Sequence, residues 1–280
     1  MNYIELLKAK TLETKSIVCV GLDPILEKIP LHGNTREIIV KFYLDILHAF
    51  LKEDVLPSAV KPNIAFYEQY GFDGLYALQE IVKAYKEKGI IVIVDAKRAD
   101  IGNTSNAYAK AMYDFWNFDA VTLAPYMGQD SIKPFIDYCK KGRGVYILNR
   151  TSNPGARDIQ DLKVDGVPVY IKTAEKIIEW AQPGTGAVVG ATYPEDLEKI
   201  SKLFVNSGKE IPLLIPGVGA QSGKAKEVVD ALKRAKMDLS IVRINSSSGI
   251  NYAYTKYATT DYASAAVRAL KELNEEIGIL

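Results

Sequence analysis

Cysteine, histidine and tryptophan are scarce in this sequence, with two of each in 280 residues. Cys19 and Cys139 form no CxxC pair and sit in apolar or helix-like surroundings. Neither a disulfide framework nor a cysteine-based zinc site is implied. His32 and His48 are too few for a histidine-rich transition-metal site. Charge of one sign is not in excess either: 35 Lys and Arg face 34 Asp and Glu, a net charge of +1. That balance excludes a general polyanion binder, so neither nucleic acid nor a membrane surface is expected as a partner. A small anionic substrate is still allowed, because a site can be basic while the whole is neutral. The sequence has no apolar run long enough to span a bilayer, no signal-type apolar segment and no Arg-rich leader. The cytoplasm is therefore the expected location.

Short apolar runs are abundant. IVCVGLD (17–23), SAVKPNIAF (58–66), IIVIVDAK (90–97), AVTLAP (120–125), GVYILNRT (144–151), GAVVGAT (186–192), PLLIPGVG (212–219) and SIVRINSS (240–247) make eight. They are β-branched and unbroken, as strands buried on both faces should be. Segments with apolar residues three and four apart alternate with them, over 36–53, 75–89, 173–181, 194–208, 225–236 and 263–277. Gly89 and Gly208 read as helix stops. Eight strand–helix units with no linker or low-complexity segment predict an α/β fold. It is one (β/α)8 TIM barrel with parallel strands, a single domain over residues 1–280. A doubly wound open sheet is the alternative. It calls for GxGxxG after the first strand, where this chain has GLDPIL.

A barrel of this type carries its site at the C-terminal ends of the strands. Polar residues fall there repeatedly: Asp23, Lys61 and Asn63, Asp95 and Lys97, 149–152, Gln221, and 245–248. The stretch VDAKRADIGNTS (94–105) is the densest, with Asp95, Lys97, Arg98 and Asp100 within six positions. Charge at the end of a buried strand is costly unless paired or used. Asp95 and Lys97 are two apart on a strand and so share a face, with Lys61 a neighbour and Arg98 pointing outward. An ordinary rim ion-pair network is one reading. Delivery of charge from three strand ends to one rim favours a site. A lysine flanked by carboxylates keeps its proton, which suits a general acid better than a Schiff-base nucleophile.

The pattern D-x-K-x-x-D-I-x-x-T, here Asp95, Lys97, Asp100, Ile101 and Thr104, resembles the signature of the orotidine 5'-phosphate decarboxylases. CVGLDP (19–24), KPNIAFYE (61–68), TLAPYMG (122–128), RTSNPGA (150–156), PGVGAQ (216–221) and NSSSGI (245–250) follow in that family's order. The longer KPN and SNP blocks resemble its type 2 branch. The resemblance implies cofactor-free decarboxylation of orotidine 5'-monophosphate to UMP and CO₂, a step of de novo pyrimidine synthesis. It implies a charge array of Lys61, Asp95, Lys97 and Asp100, with Lys97 as the general acid. Asp23, Asn63 and Lys61 would hold the ribose. Thr151 and Ser152 would meet the pyrimidine, the loop 152–166 would help cover it, and Ile101, Leu123 and Pro125 would form an apolar wall. Gly219, Gln221, Ser247 and Ser248 would bind phosphate. Asp100, Ile101 and Thr104 would reach into the site of a partner in a homodimer. The enzymatic alternative is a sister group, the Mg²⁺-dependent hexulose-phosphate synthases and keto-gulonate-phosphate decarboxylases. They tend to carry an acidic residue where this chain has Lys61, and a lysine repels a divalent cation.

One position departs from the pattern. NSSSGI resembles a family block NSSRGI whose arginine grips the 5'-phosphate, and here the residue is Ser248. Serine lacks the charge and the bidentate fork. Loss of such a donor is expected to cost roughly 3–4 kcal/mol of transition-state stabilisation. Arg243, five residues earlier on the strand, is too far back to replace it. An engineered substitution, a natural variant compensated elsewhere, and a weakly active nucleotide-binding relative are the three readings left open.

Overall fold

A computed structural model of the protein describes residues 1–218 and 224–278. Gly219 and Gln221 lie outside the described residues. The eight apolar runs become eight parallel barrel strands: β1 (Val18–Leu22), β2 (Ala59–Pro62), β3 (Ile91–Arg98), β4 (Ala120–Leu123), β5 (Gly144–Arg150), β8 (Thr185–Val189), β9 (Leu213–Pro216) and β10 (Val242–Ser246). The sheet closes in the order β1-β10-β9-β8-β5-β4-β3-β2. β6 (Lys163–Val164) and β7 (Val167–Pro168) form a small antiparallel hairpin inside the loop that follows β5. The barrel strands read as continuous apolar runs because one face fills the barrel and the other packs under helices.

The six segments with helical spacing are helices, with ends shifted by a few residues. Thr35–Lys52 is the longest, capped by the Asn34 side chain accepting from the Glu37 amide at 3.0 Å. Gly89 and Gly208 stand past two helix ends with φ of 68° and 71°, as stops should. Among the described residues, three further helices of eight residues or more lie outside those segments. Tyr3–Thr14 lies under the barrel floor, and Gln129–Ile136 has Pro134 inside it. Gly102–Lys110 buries only Ser105 and Ala109, then widens into one π turn over Ala111–Phe115. Among the described residues no helix is long and apolar enough to cross a membrane.

Arg243 closes the floor. It is fully buried and donates to the carbonyls of Leu7 (2.7 Å), Val242 (2.7 Å) and Ser240 (3.1 Å), and to Thr11 Oγ1 (3.2 Å). Its guanidinium is thereby held against the first helix, at the end of β10 opposite Ser248. The expectation that Arg243 does not stand in for a phosphate-gripping arginine agrees with this placement.

Candidate active site

The charged cluster assembles at the C-terminal mouth of the barrel. β2 presents Lys61, which is 4% exposed, near its end, and β3 presents Asp95 shortly before its end at Arg98. Lys61 Nζ lies 3.2 Å from Asp95 Oδ2, and Lys97 Nζ lies 2.6 Å from Asp95 Oδ1. Burial by itself would raise the Asp95 carboxyl. Lys61 and Lys97, with hydrogen bonds from Lys97 and Thr122, outweigh it and hold the group down at about 2. Burial would likewise lower Lys61, but Asp95 and then Asp23 prevail and push it up to about 12. The site therefore holds a fixed carboxylate between two ammonium groups.

Asp95 and Lys97 do share the site, though simple alternation is not the cause. β3 pairs with β4 through Val94↔Val121 and next through Arg98↔Leu123, so residues 95–97 bulge opposite Thr122 alone. Lys97 has φ of 44°, in the left-handed region that a lysine rarely enters. Arg98 turns away, as expected, to donate to Glu68 at 3.2 Å and to stack over Tyr108.

Asp23, Lys61, Asn63, Asp95, Ser152, Ser247 and Ser248 line one cavity of about 310 Å³. A neighbouring lobe of about 380 Å³ adds Lys97, Thr122, Thr151, Leu148 and Leu214. Asp23 is tied to the Asn63 amide at 3.2 Å, and Tyr252 donates to the Asp23 carbonyl at 3.0 Å. Gly21 is required beneath Ser247, since a Cβ there would stand 1.8 Å from Ser247 Oγ. Ser248 is exposed at the first residue of the four-residue helix Ser248–Asn251.

Several expected site residues lie elsewhere. Leu123 is fully buried and Pro125 caps a turn, its carbonyl accepting from Gly128 at 2.9 Å. Neither lines the two lobes described above. Thr122 faces Asp95, so alternation turns Leu123 out toward the helices. Within one chain the apolar lining of the two lobes comes from Phe66, Leu148, Val188, Leu214 and Pro216, not from the expected Leu123 and Pro125. Asp100, Ile101 and Thr104 do not join the array within one chain. Among the described residues Asp100 accepts only from the Ile101 amide (2.8 Å), and Ile101 is 55% exposed.

Two residues of the site carried little signal in the sequence. Thr122 donates to Asp95 Oδ1 at 2.9 Å, and its sign was a single hydroxyl in the apolar strand AVTLA. Arg150 is buried between Tyr170 and Tyr193. It meets Asp161 at 2.6 Å and Asp196 at 3.1 Å, which pins the loop after β5.

The closed parallel barrel is shared with known proteins. The model of the orotidine 5'-phosphate decarboxylase / HUMPS family matches residues 17–274. The chain belongs to this family. An orotidine 5'-phosphate decarboxylase of Cupriavidus metallidurans is 41% identical over 281 residues, covering 99% of this chain and 98% of the relative. One from Rhodopirellula baltica is 36% identical over 311 residues, covering 99% of each. The solved structure of Leishmania donovani OMP decarboxylase superposes with a TM-score of 0.79 at 32% identity, covering 100% of both chains. The chain thus stands among the decarboxylases of the orotidine 5'-phosphate decarboxylase / HUMPS family, and its barrel is that of their solved structures.

Proposed function

We propose that this protein decarboxylates orotidine 5'-monophosphate to UMP and CO₂, and that it belongs to the type 2 branch of its family. The observation that carries the reading is the ion-paired triplet Lys61–Asp95–Lys97 at the barrel mouth, with Lys61 buried and Lys97 half-exposed. The C6–CO₂ bond breaks with its electron pair left on C6, a carbanion with no ordinary electron sink. Lys97 lies beside that carbon, stabilises the pair and donates the proton that makes the C6–H bond of UMP. Asp95 holds Lys97 in place and faces the departing carboxylate. Preorganised charge lowers the barrier, because its orientation is fixed before the reaction begins.

Asp23, Asn63 and Lys61 hold the ribose. Thr151 and Ser152 meet the base, under a loop held by Arg150. The phosphate lies toward Ser247 and Ser248. Asp100, Ile101 and Thr104 complete the site of a second copy in a homodimer. Lys61 also argues against the Mg²⁺-dependent alternative: its ammonium stands 3.2 Å from Asp95, where a cation held by that carboxylate would meet like charge.

The test is turnover. The purified chain, given orotidine 5'-monophosphate, is expected to release CO₂ and UMP in equal amounts. Tight binding of UMP without turnover would instead make it a nucleotide-binding relative. Turnover of a ketose phosphate with Mg²⁺, and none of orotidine 5'-monophosphate, would favour the sister chemistry.

A further inference from the structure

We propose that Thr122 is a positioning residue, whose one hydroxyl sets both the Asp95 carboxylate and the backbone that aims Lys97. The proposal rests on the decarboxylase reading for its kinetic consequence, though not for its geometry.

The starting point is the bulge. Three residues of β3, 95 to 97, stand against one residue of β4, and that residue is Thr122. Amides in such a bulge lose their regular ladder acceptors and need others. Ala96 N and Lys97 N both donate to Thr122 Oγ1, at 3.1 and 3.0 Å. Thr122 is 1% exposed, so no water competes for those bonds. A hydroxyl has one proton and two lone pairs. Amides can only donate, so the two lone pairs are taken and the proton has one direction left. It points at Asp95 Oδ1, 2.9 Å away. The hydroxyl is saturated, and its rotor is fixed by the backbone.

Two consequences follow. Asp95 Oδ1 must act as an acceptor, so the bond favours the ionised carboxyl. And the left-handed backbone at Lys97, with φ of 44°, is held by an acceptor built into the next strand. Lys97 Nζ then returns 2.6 Å from the same Oδ1 that Thr122 fixes. The other charged or titratable groups around this centre are Lys61 on β2, Cys19 on β1 and Asp23 just after it. None of them contacts the bulge amides. Thr122 alone couples the carboxylate to the backbone of the lysine.

The experiment compares Thr122→Val, which keeps the shape and removes the hydroxyl, with Thr122→Ser, which keeps the hydroxyl. Thr122→Val is expected to lower kcat by roughly 10- to 100-fold, with KM changing by less than about 3-fold. The acid limb of its kcat/KM profile should move to higher pH, since the carboxylate has lost a donor. Thr122→Ser should restore the limb and most of kcat. An unchanged kcat and an unmoved acid limb in Thr122→Val would overturn the proposal, as would failure of Thr122→Ser to rescue either.

A second readout separates this claim from the assigned reaction. The Asp95 carboxyl, followed by carbon-13 NMR in the whole protein, should titrate at higher pH in Thr122→Val but not in Thr122→Ser. If the unmodified protein does not turn over orotidine 5'-monophosphate, the decarboxylase reading falls, and this titration still decides the role of Thr122. An identical midpoint in all three proteins rejects it. Should Thr122→Val fail to fold, Thr122→Cys carries the same comparison, because a thiol is a weak donor and acceptor.

Discussion

Asp95 accepts from three donors, Lys61 on one oxygen and Lys97 and Thr122 on the other. A carboxyl held at about 2 when folded, against an ordinary value near 4 when unfolded, contributes stability that is full above pH 4. That contribution is lost as pH falls through the folded value. Thermal unfolding of the protein and of Asp95→Asn should show it. The stability gap between them is expected to narrow by on the order of 2 kcal/mol between about pH 4 and pH 2. A gap independent of pH would show that Asp95 titrates normally. The same residue illustrates how far alternation along a strand can be trusted. It places Asp95 and Lys97 on one face, and they are together. The cause, however, is a bulge and a left-handed lysine, both of which depend on β4 and so cannot be seen within β3.

Among the elements, the eight strands were legible because burial on both faces leaves a continuous apolar run. The same criterion does not single out the helices Tyr3–Thr14, Gly102–Lys110 and Gln129–Ile136. Gly102–Lys110 buries only a serine and an alanine, the buried face of Tyr3–Thr14 runs out at Thr11, and Gln129–Ile136 is a short helix with Pro134 inside it. Of the site, the strand-end charges were legible, since charge beside an apolar run is conspicuous. The walls were not: Leu123 was assigned to the cavity, whereas the register set by Thr122 turns it into the core. The short helix Ser248–Asn251 bears the departure from the family pattern, and Ser248 presents only a hydroxyl at its start. Ser248→Arg is expected to raise kcat/KM by roughly 10²-fold or more, as restoring a charged donor to an anion should. No gain in steady-state kcat/KM would show that the phosphate is gripped from elsewhere.

At the scale of the molecule, the barrel has a sealed floor and an open mouth. Arg243 and the first helix close one end, while Ile101, Tyr126 and Met127 expose apolar surface beyond the strand ends at the other. Asp100 has no partner beyond its own neighbour's amide among the described residues, which fits a residue whose work is done in a second copy. Mixing two inactive variants tests that arrangement. Lys97→Ala and Asp100→Ala, unfolded and refolded together in equal amounts, should regain about a quarter of the native sites if each site draws Lys97 from one chain and Asp100 from the other. No regain would place Asp100 in its own chain's site.

Whether Lys97 protonates C6 after CO₂ leaves is decided by steady-state decarboxylation of orotidine 5'-monophosphate by the unmodified protein and by Lys97→Ala. Turnover by the first, and a loss of at least roughly 10²–10⁴-fold in kcat by the second with its fold intact, is the predicted result. Comparable turnover by both proteins would contradict it.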